Sequence, residues 1–172
     1  MMKRLVILGA GGYGRTVADM ARQSGQYETI CFLDDQQTAE NIVGKCTDYI
    51  QFADVNTEMY PAFGNNEGRL KWMDILNEAR IKIASIIHPT AFVSNTASIE
   101  EGVMILPKSV VNTNCIIRRG GIINCGAILD HDCIIEEGVH ICLGAIVKAE
   151  NRIPRVLKVE AGEIVENRKY PL

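Results

Sequence analysis

The chain has 172 residues, which is enough for one domain or two small ones with buried cores. Its 18 basic and 21 acidic residues give a net charge of -3, and both signs are spread along the chain, which argues against a polycationic surface for nucleic acid. No apolar run approaches the roughly 18 residues that span a bilayer, and the apolar start is too short and glycine-rich for a signal peptide. We therefore expect a cytoplasmic protein.

Isoleucine and aromatic residues divide the chain into two regions. Fifteen of the 22 isoleucines lie at or after Ile86, whereas eight of the ten aromatic residues precede it. This asymmetry predicts two domains, residues 1–86 and 87–172. The six cysteines include no CxxC pair and have aliphatic neighbours, so they are interpreted as reduced, small core residues rather than as metal ligands.

The first region begins with a glycine-rich loop between a predicted strand and a predicted helix. Residues 3–8 form an apolar run, the sequence GAGGYG follows, and residues 15–23 have helical periodicity. This order is typical of a nucleotide-binding βαβ unit, in which glycines let the backbone approach a diphosphate and the helix N-terminus meets its charge. A tight turn that only packs helix against strand is the alternative. The predicted contacts in the loop are Gly9, Gly11, Gly12, Tyr13 and Gly14.

Polar residues follow two further predicted strands of this region. Asp34 and Asp35 end a strand at residues 29–33 and are predicted to accept hydrogen bonds from a ribose or base; a solvated turn is the alternative. Gly64 and Asn65 follow a strand at residues 59–63 and are predicted to lie at the same sheet edge, although Asn65 or Asn66 could equally cap a helix. A helix over 67–80 and a strand over 82–86 would complete a small parallel sheet with room for a mononucleotide.

The second region has a period of six residues. From Ile87, thirteen consecutive hexads begin with Ile, Val or Leu, and the first ten have a small residue at the fifth position. This period predicts a solenoid of very short strands, with three hexads per triangular coil and the aliphatic residues inside. Regular coils are expected to about residue 146, a little over three in all, with an irregular tail at 147–172. Open sheet edges favour packing between copies, most simply as a homotrimer.

Two of the three histidines are candidates for chemistry. His131 lies between Asp130 and Asp132 on the solenoid wall, and a carboxylate beside a histidine fixes its tautomer and raises its basicity. His140 is half a coil further on, so the two could meet only if neighbouring subunits each supply a wall. Solvated surface histidines are the alternative. His88, in the turn after Ile87, is interpreted as structural.

Five segments together resemble a known family. They are GAGGYGRTVAD, FLDD, GNN, IHPTA and INCGAILDHDCIIEEGVHICLGA, and they extend over residues 3–147. The chain resembles bacterial sugar acyltransferases of the PglD/NeuD type. The resemblance implies an α/β Rossmann-like βαβ domain that binds a nucleotide sugar, followed by a left-handed parallel β-helix of hexapeptide repeats.

The resemblance also implies the chemistry. His131 would be the general base, oriented by Asp132 or less readily by Asp130, and His140 with Gly144 and Ala145 would contact acetyl-CoA. The sugar amine or hydroxyl would attack the thioester directly, without a covalent enzyme intermediate and without a metal, in cell-surface glycan synthesis.

The end of the chain departs from the family pattern. Residues 149–151 are Ala-Glu-Asn where the family has Ala-Gly-Asn, and the terminal Gly-Asn-Pro-Ala segment is missing. We therefore expect a shortened coenzyme site with an unassigned oxyanion donor. A non-catalytic nucleotide-sugar-binding or assembly protein is the alternative. A third hypothesis, an NAD-dependent oxidoreductase, is supported by the glycine loop alone.

Overall fold

The computed structural model describes residues 3–172, so the first two residues of the predicted first domain lie outside the described part. The chain forms two compact units, of which the first ends at Ala84 and the second is Ser85–Leu172. Ile86, assigned to the first domain from the sequence, belongs to the second because it pairs with Met104.

The first unit is a four-stranded parallel sheet with two helices. Its elements are β1 (Lys3–Leu8), α1 (Gly12–Ser24), β2 (Tyr27–Leu33), β3 (Ile42–Gly44), a 3-10 helix (Cys46–Phe52), β4 (Thr57–Pro61) and α2 (Asn66–Glu78). The strand order is β3-β2-β1-β4, so β1 is central, and its last four residues are fully buried. Burial on both faces explains why this strand is a continuous apolar run.

The predicted strand at residues 82–86 was wrong. Ile83 makes a single bridge to Met59, and the chain then continues into the second unit. The alternating apolar residues that suggested a strand are explained by burial of Ile81 and Ile83 against the first unit's core. β3 and the 3-10 helix were not predicted because neither has a long apolar or periodic pattern.

The second unit is a three-sided parallel β-helix. Its strands are β5 (Ile86–Ile87), β6 (Phe92–Val93), β7 (Ser98–Ile99), β8 (Met104–Ile105), β9 (Val110–Val111), β10 (Ile116–Ile117), β11 (Ile122–Ile123), β12 (Ile128–Leu129), β13 (Ile134–Ile135), β14 (His140–Ile141), β15 (Ile146–Val147), β16 (Arg152–Ile153), β17 (Lys158–Val159) and β18 (Ile164–Val165). The sheets are β16-β13-β10-β7, β17-β14-β11-β8-β5 and β18-β15-β12-β9-β6. Each strand thus pairs with the strand three further on, which confirms three hexads per coil.

The interior and the corners follow the hexad. The first residue of each hexad from Ile105 onward is buried in one continuous core. The fourth residue takes a positive φ at twelve corners, six of which hold glycine. Glycine adopts this left-handed conformation without strain, whereas other residues are disfavoured there.

The expectation of an irregular tail after residue 146 was wrong, because β16, β17 and β18 continue the coils. Asn151 is fully buried at the fifth position, where the hexads before it have small residues. Its Nδ2 donates to the carbonyls of Lys148 and Glu166, both at 2.8 Å, and its Oδ1 accepts from the backbone N–H of Tyr170 at 2.9 Å. Asparagine is tolerated at this corner because its buried amide is hydrogen-bonded to backbone groups through both its nitrogen and its oxygen.

Candidate active site

A pocket of about 380 Å³ lies where β1, β2 and β4 end, at the carboxyl edge of the sheet. Open parallel sheets bind ligands at this edge. The pocket contains seven residues predicted from the sequence: Gly9, Gly11, Gly12, Tyr13, Asp34, Asp35 and Gly64. It also includes Gln36, Gln37, Cys46, Ala62 and Phe63, which sequence reasoning missed, although two of them directly follow Asp35.

Two of the loop positions hold glycine for different reasons. A Cβ at Gly14 would lie 2.0 Å from the carbonyl oxygen of Gly9, so helix α1 packs against the loop only if this residue is glycine. A Cβ at Gly11 would have no atom within 4 Å, and its φ is not positive. No contact within the described chain requires glycine at position 11, whereas the close approach of a ligand would.

Asp34 holds the glycine loop in place. Its Oδ2 accepts from the N–H of Ala10 at 2.7 Å, and its Oδ1 accepts from the N–H groups of Gln36 and Gln37 at 2.9 and 2.8 Å. Slight burial acts to raise its pKa, but the three N–H donors outweigh it and lower the pKa. Both oxygens therefore already have backbone partners, so any ligand contact would be an additional bond.

Two other predicted contacts also have roles within the protein. Oδ1 of Asp35 accepts from the N–H of Cys46 at 2.9 Å, and Asn65 caps α2 by accepting from the N–H of Gly68 at 2.7 Å. The hydroxyl of Tyr13 lies 2.7 Å from that of the buried Tyr60. Burial raises the pKa of Tyr13 well above its ordinary value, so the phenol is neutral. Tyr13 also forms part of the pocket wall.

In the second unit, His131 and Asp132 form a close pair at the turn between β12 and β13. Nδ1 of His131 lies 2.7 Å from Oδ2 of Asp132, and about half of each side chain is exposed. Within the turn, Oδ1 of Asp130 also accepts from the N–H of His131 at 2.8 Å. The hydrogen bond that His131 donates to Asp132 raises the pKa of His131, with further contributions from the charges of Asp130 and Glu150. Asp130 thus shapes the turn, whereas Asp132 contacts the imidazole.

His140 occupies a different sheet. It lies in β14, pairs with Ile122 and Lys158, and its Nε2 is 3.0 Å from Nδ2 of Asn124. Asn124 was missed from the sequence, because its contact with His140 depends on how the coils stack.

The other two residues predicted to contact coenzyme lie at the next corner. The N–H of Gly144 donates to Cys125 O at 3.0 Å, and that of the buried Ala145 donates to Cys142 O at 3.1 Å. Both N–H groups therefore maintain the coil.

Within residues 3–172, no group of three or more Cys, His, Asp or Glu residues is arranged to hold a metal ion. Nor is any helix in that range both long and apolar enough to cross a membrane.

Comparison with known proteins agrees with both halves of the fold. Residues 4–76 match the PglD N-terminal domain. The whole chain is similar to the acetyltransferase domain of PglB from Neisseria gonorrhoeae FA1090, with 30% identity, a TM-score of 0.93, and coverage of 96% of this chain and 83% of that one. The chain belongs to the family of PglD/NeuD-type sugar acyltransferases. The second unit of this acyltransferase is therefore the left-handed β-helix that the family resemblance implied.

Two other structures share the fold. Perosamine N-acetyltransferase from Caulobacter crescentus, solved as a variant with CoA and GDP-perosamine, has 22% identity and a TM-score of 0.80 over 97% of this chain and 90% of that one. WeeI from Acinetobacter baumannii AYE has 21% identity and a TM-score of 0.74 over 99% and 94%. The shared fold therefore includes residues 147–172, for which the sequence predicted an irregular tail.

Proposed function

We propose that this acyltransferase transfers an acetyl group from acetyl-CoA to the amine, or a hydroxyl, of a nucleotide-linked sugar in cell-surface glycan synthesis. The observation that carries the proposal is the 2.7 Å contact between His131 and Asp132 on an exposed turn. The similar PglB domain from N. gonorrhoeae has also been solved in complex with acetyl coenzyme A. We also propose that the protein works in the cytoplasm, as its sequence predicts.

In the proposed mechanism, His131 is the general base. Asp132 accepts the Nδ1–H, which leaves the lone pair on Nε2 to take a proton from the sugar amine or hydroxyl. The nucleophile attacks the thioester carbonyl, the tetrahedral intermediate collapses, and coenzyme A leaves as the thiolate, which takes up a proton. A base of this kind contributes about 10² to 10⁴ in rate.

His140 is proposed to contact the coenzyme, together with Gly144 and Ala145. When Nε2 of His140 accepts from the amide of Asn124, the proton of the neutral ring is on Nδ1. Leu143, exposed beside Gly144, offers apolar surface at the same corner. The oxyanion donor is not assigned.

The pocket of the first unit is proposed to hold the nucleotide. Gly9, Gly11 and Gly12 would leave room for the diphosphate at the N-terminus of α1, whereas Gly14, also predicted as a contact, packs α1 against Gly9. Tyr13, Asp35, Gly64 and Asn65 would border the rest of the nucleotide, and Asp34 would accept from it in addition to holding the loop.

A homotrimer is proposed from the outer face of one sheet. The sixth residue of each hexad on the sheet β18-β15-β12-β9-β6 is a large apolar residue on all five strands: Phe92, Val110, Ile128, Ile146 and Ile164. Phe92 and Ile164 are more than half exposed, and Ile128 is 40% exposed. An exposed apolar stripe of this kind fits another copy of the chain. A trimer is also the arrangement in which neighbouring copies would each supply a wall, as the sequence requires for His131 and His140 to meet.

The trimer has a simple test. Ile128→Glu places a charge in the middle of the stripe, and we expect the protein to sediment as a monomer at micromolar concentration and to lose activity. Lys108→Glu, at an exposed corner, is the matched control and should leave the trimer intact. A wild-type protein that sediments as a monomer would contradict the proposal.

The activity is tested by a screen of UDP- and GDP-linked amino sugars with acetyl-CoA, read by release of thiol. His131→Ala should lower kcat by about 10² to 10⁴ while nucleotide-sugar binding is retained. Unchanged turnover in this variant would refute the general base. Retained nucleotide-sugar binding, with no acetyl-CoA binding at millimolar concentration, would instead favour the non-catalytic binding protein.

The pH profile gives a second test of the base. Only neutral His131 accepts a proton, so kcat/KM should rise with pH through the pKa of His131. Because Asp132 raises that pKa, the acidic limb should lie above the ordinary histidine value of 6.5. Asp132→Asn removes the carboxylate and should move the limb to lower pH.

A further inference from the structure

Asp132 has a second side-chain partner, on the previous coil. Nδ2 of Asn114 donates to Oδ1 of Asp132 at 3.0 Å, whereas the other oxygen, Oδ2, faces His131. The two carboxylate oxygens therefore have different partners. Asn114 and Asp132 occupy the same corner one coil apart, and both take the left-handed conformation, with φ of 58° and 56°.

Asn114 is itself held in place by two coils. Its N–H donates to Oγ1 of Thr96 at 2.9 Å, and the N–H of Asp132 donates to the carbonyl of Thr113 at 2.9 Å. The amide is thus presented to Asp132 by the corner itself. Rotation of the carboxylate would break its bond to Asn114, so the amide limits the orientations that Asp132 can take.

We propose that Asn114 is a positioning residue for the acyl transfer, acting through Asp132 to fix the tautomer and orientation of His131. The inference rests on the proposed function of His131. It adds a chain of contacts through three successive coils, from Thr96 to Asn114 to Asp132, which ends at the base.

Charges near the turn determine what removal of the amide would do. Asp130, Asp132 and Glu150 all contribute to the raised pKa of His131, and Glu150 is itself paired with Arg168. The bond from Asn114 is the largest cause of the lowered pKa of Asp132, followed by the bond with His131. Removing it leaves the carboxylate charged at neutral pH but free to turn towards water.

The test uses two substitutions at position 114. Asn114→Gly suits the left-handed backbone and removes only the amide, whereas Asn114→Asp replaces a donor with a negative charge. Lys108→Gly is the matched control, because Lys108 also has a left-handed φ, of 59°, and its N–H also donates to a threonine hydroxyl one coil earlier. Thermal unfolding of all three variants checks that the coils are intact.

The first readout is nuclear magnetic resonance of ¹⁵N-labelled histidine, which needs no substrate. In Asn114→Gly we expect the pKa of His131 to fall by up to about one unit and the neutral ring to lose its preference for Nδ1–H. In Asn114→Asp the added charge should raise that pKa instead. The control should not change either value.

The second readout is kinetic. Asn114→Gly should lower kcat by about 10-fold with KM for both substrates little changed, because it misorients a base that does not bind them. An unchanged His131 pKa and tautomer in Asn114→Gly would overturn the inference. If His131→Ala retains wild-type turnover, the proposed function fails instead, and the two failures are separate because the resonance measurement does not depend on catalysis.

Discussion

The two units of this acyltransferase differ in how often their contacts repeat. In the first, each important contact occurs once: Gly14 packs against Gly9, Asp34 accepts a hydrogen bond from the glycine loop, and Glu58 accepts one from Tyr27. In the second, the same contact recurs every 18 residues, as the paired strands show. In a repeat, each position has an expected residue type, so a residue that departs from it is a candidate for a functional role. The first unit has no repeat to compare with. There, a functional residue can be recognised only when no contact within the protein explains its identity.

This difference is clearest at the candidate site residues. Asp132 occupies a corner position that holds glycine at six of twelve corners, and it carries the contact with His131. Gly11, by contrast, stands out only because nothing in the described chain fills the space where its side chain would be. The same comparison yields three predictions, the largest first.

The largest effect is expected from a methyl group in the glycine loop. Gly14→Ala places a carbon 2.0 Å from the Gly9 carbonyl, so either the loop or α1 must move, and we expect a loss of about 3 kcal/mol or more in the free energy of unfolding. Gly11→Ala should leave that free energy almost unchanged but weaken nucleotide-sugar affinity at least ~10-fold. Denaturant unfolding and calorimetric titration measure the two quantities. Equal effects of both variants on stability would remove the distinction between a packing glycine and a ligand glycine.

The next effect concerns Glu58, a buried carboxylate of the first unit. It accepts from Nζ of Lys3 and of Lys82 at 2.8 and 2.6 Å, and from the hydroxyl of Tyr27 at 2.6 Å. Burial acts to raise its pKa, but these donors outweigh it and lower the pKa from 4.5 to about 2. Such a shift corresponds to on the order of 3 kcal/mol of stability.

The sign of the pH dependence follows from the lowered value. The stabilisation should be complete above about pH 4.5 and should be lost as the pH falls towards 2. Glu58→Gln should lose it at neutral pH, and its stability should change less over that window than the wild type's. Asp54→Asn is the matched control, since Asp54 pairs with Arg4 at the surface and should matter little. A wild-type free energy of unfolding that does not change between pH 5 and 2.5 would show that the contacts of Glu58 contribute little to stability.

Much of the fold was predictable from the sequence because both units have strong local signals. The apolar run of β1, the glycine loop and the hexads each specify a strand or a turn without knowledge of distant residues. The tail was mispredicted because Asn151 and Glu150 break the pattern in composition but not in geometry. The amide of Asn151 is hydrogen-bonded to the backbone, and Glu150 takes the left-handed conformation that the corner requires. Neither fit can be inferred from residue size.

The candidate site was predicted only in part for a related reason. His131 and Asp132 are neighbours in sequence, so their contact could be anticipated. Asn114 lies 18 residues before Asp132, and its contact exists only because the coils stack in that register. A search at intervals of 18 would have found it. The pairing of Asn124 with His140 does not follow that interval and required the structure.

The smallest effect tests whether an exception in the repeat is costly by itself. Glu150 has a φ of 57° at a corner that glycine would fill without strain. Glu150→Gly should therefore raise the free energy of unfolding by about 1 kcal/mol, even though it removes the exposed ion pair with Arg168. Glu150→Ala keeps the strained backbone and also removes the pair, so it should not be stabilising. Because the charge of Glu150 helps to raise the pKa of His131, both variants should shift the acidic limb of kcat/KM slightly to lower pH. A glycine variant that is no more stable than the alanine variant would mean that the corner accommodates a side chain without cost, and that the repeat tolerates such exceptions freely.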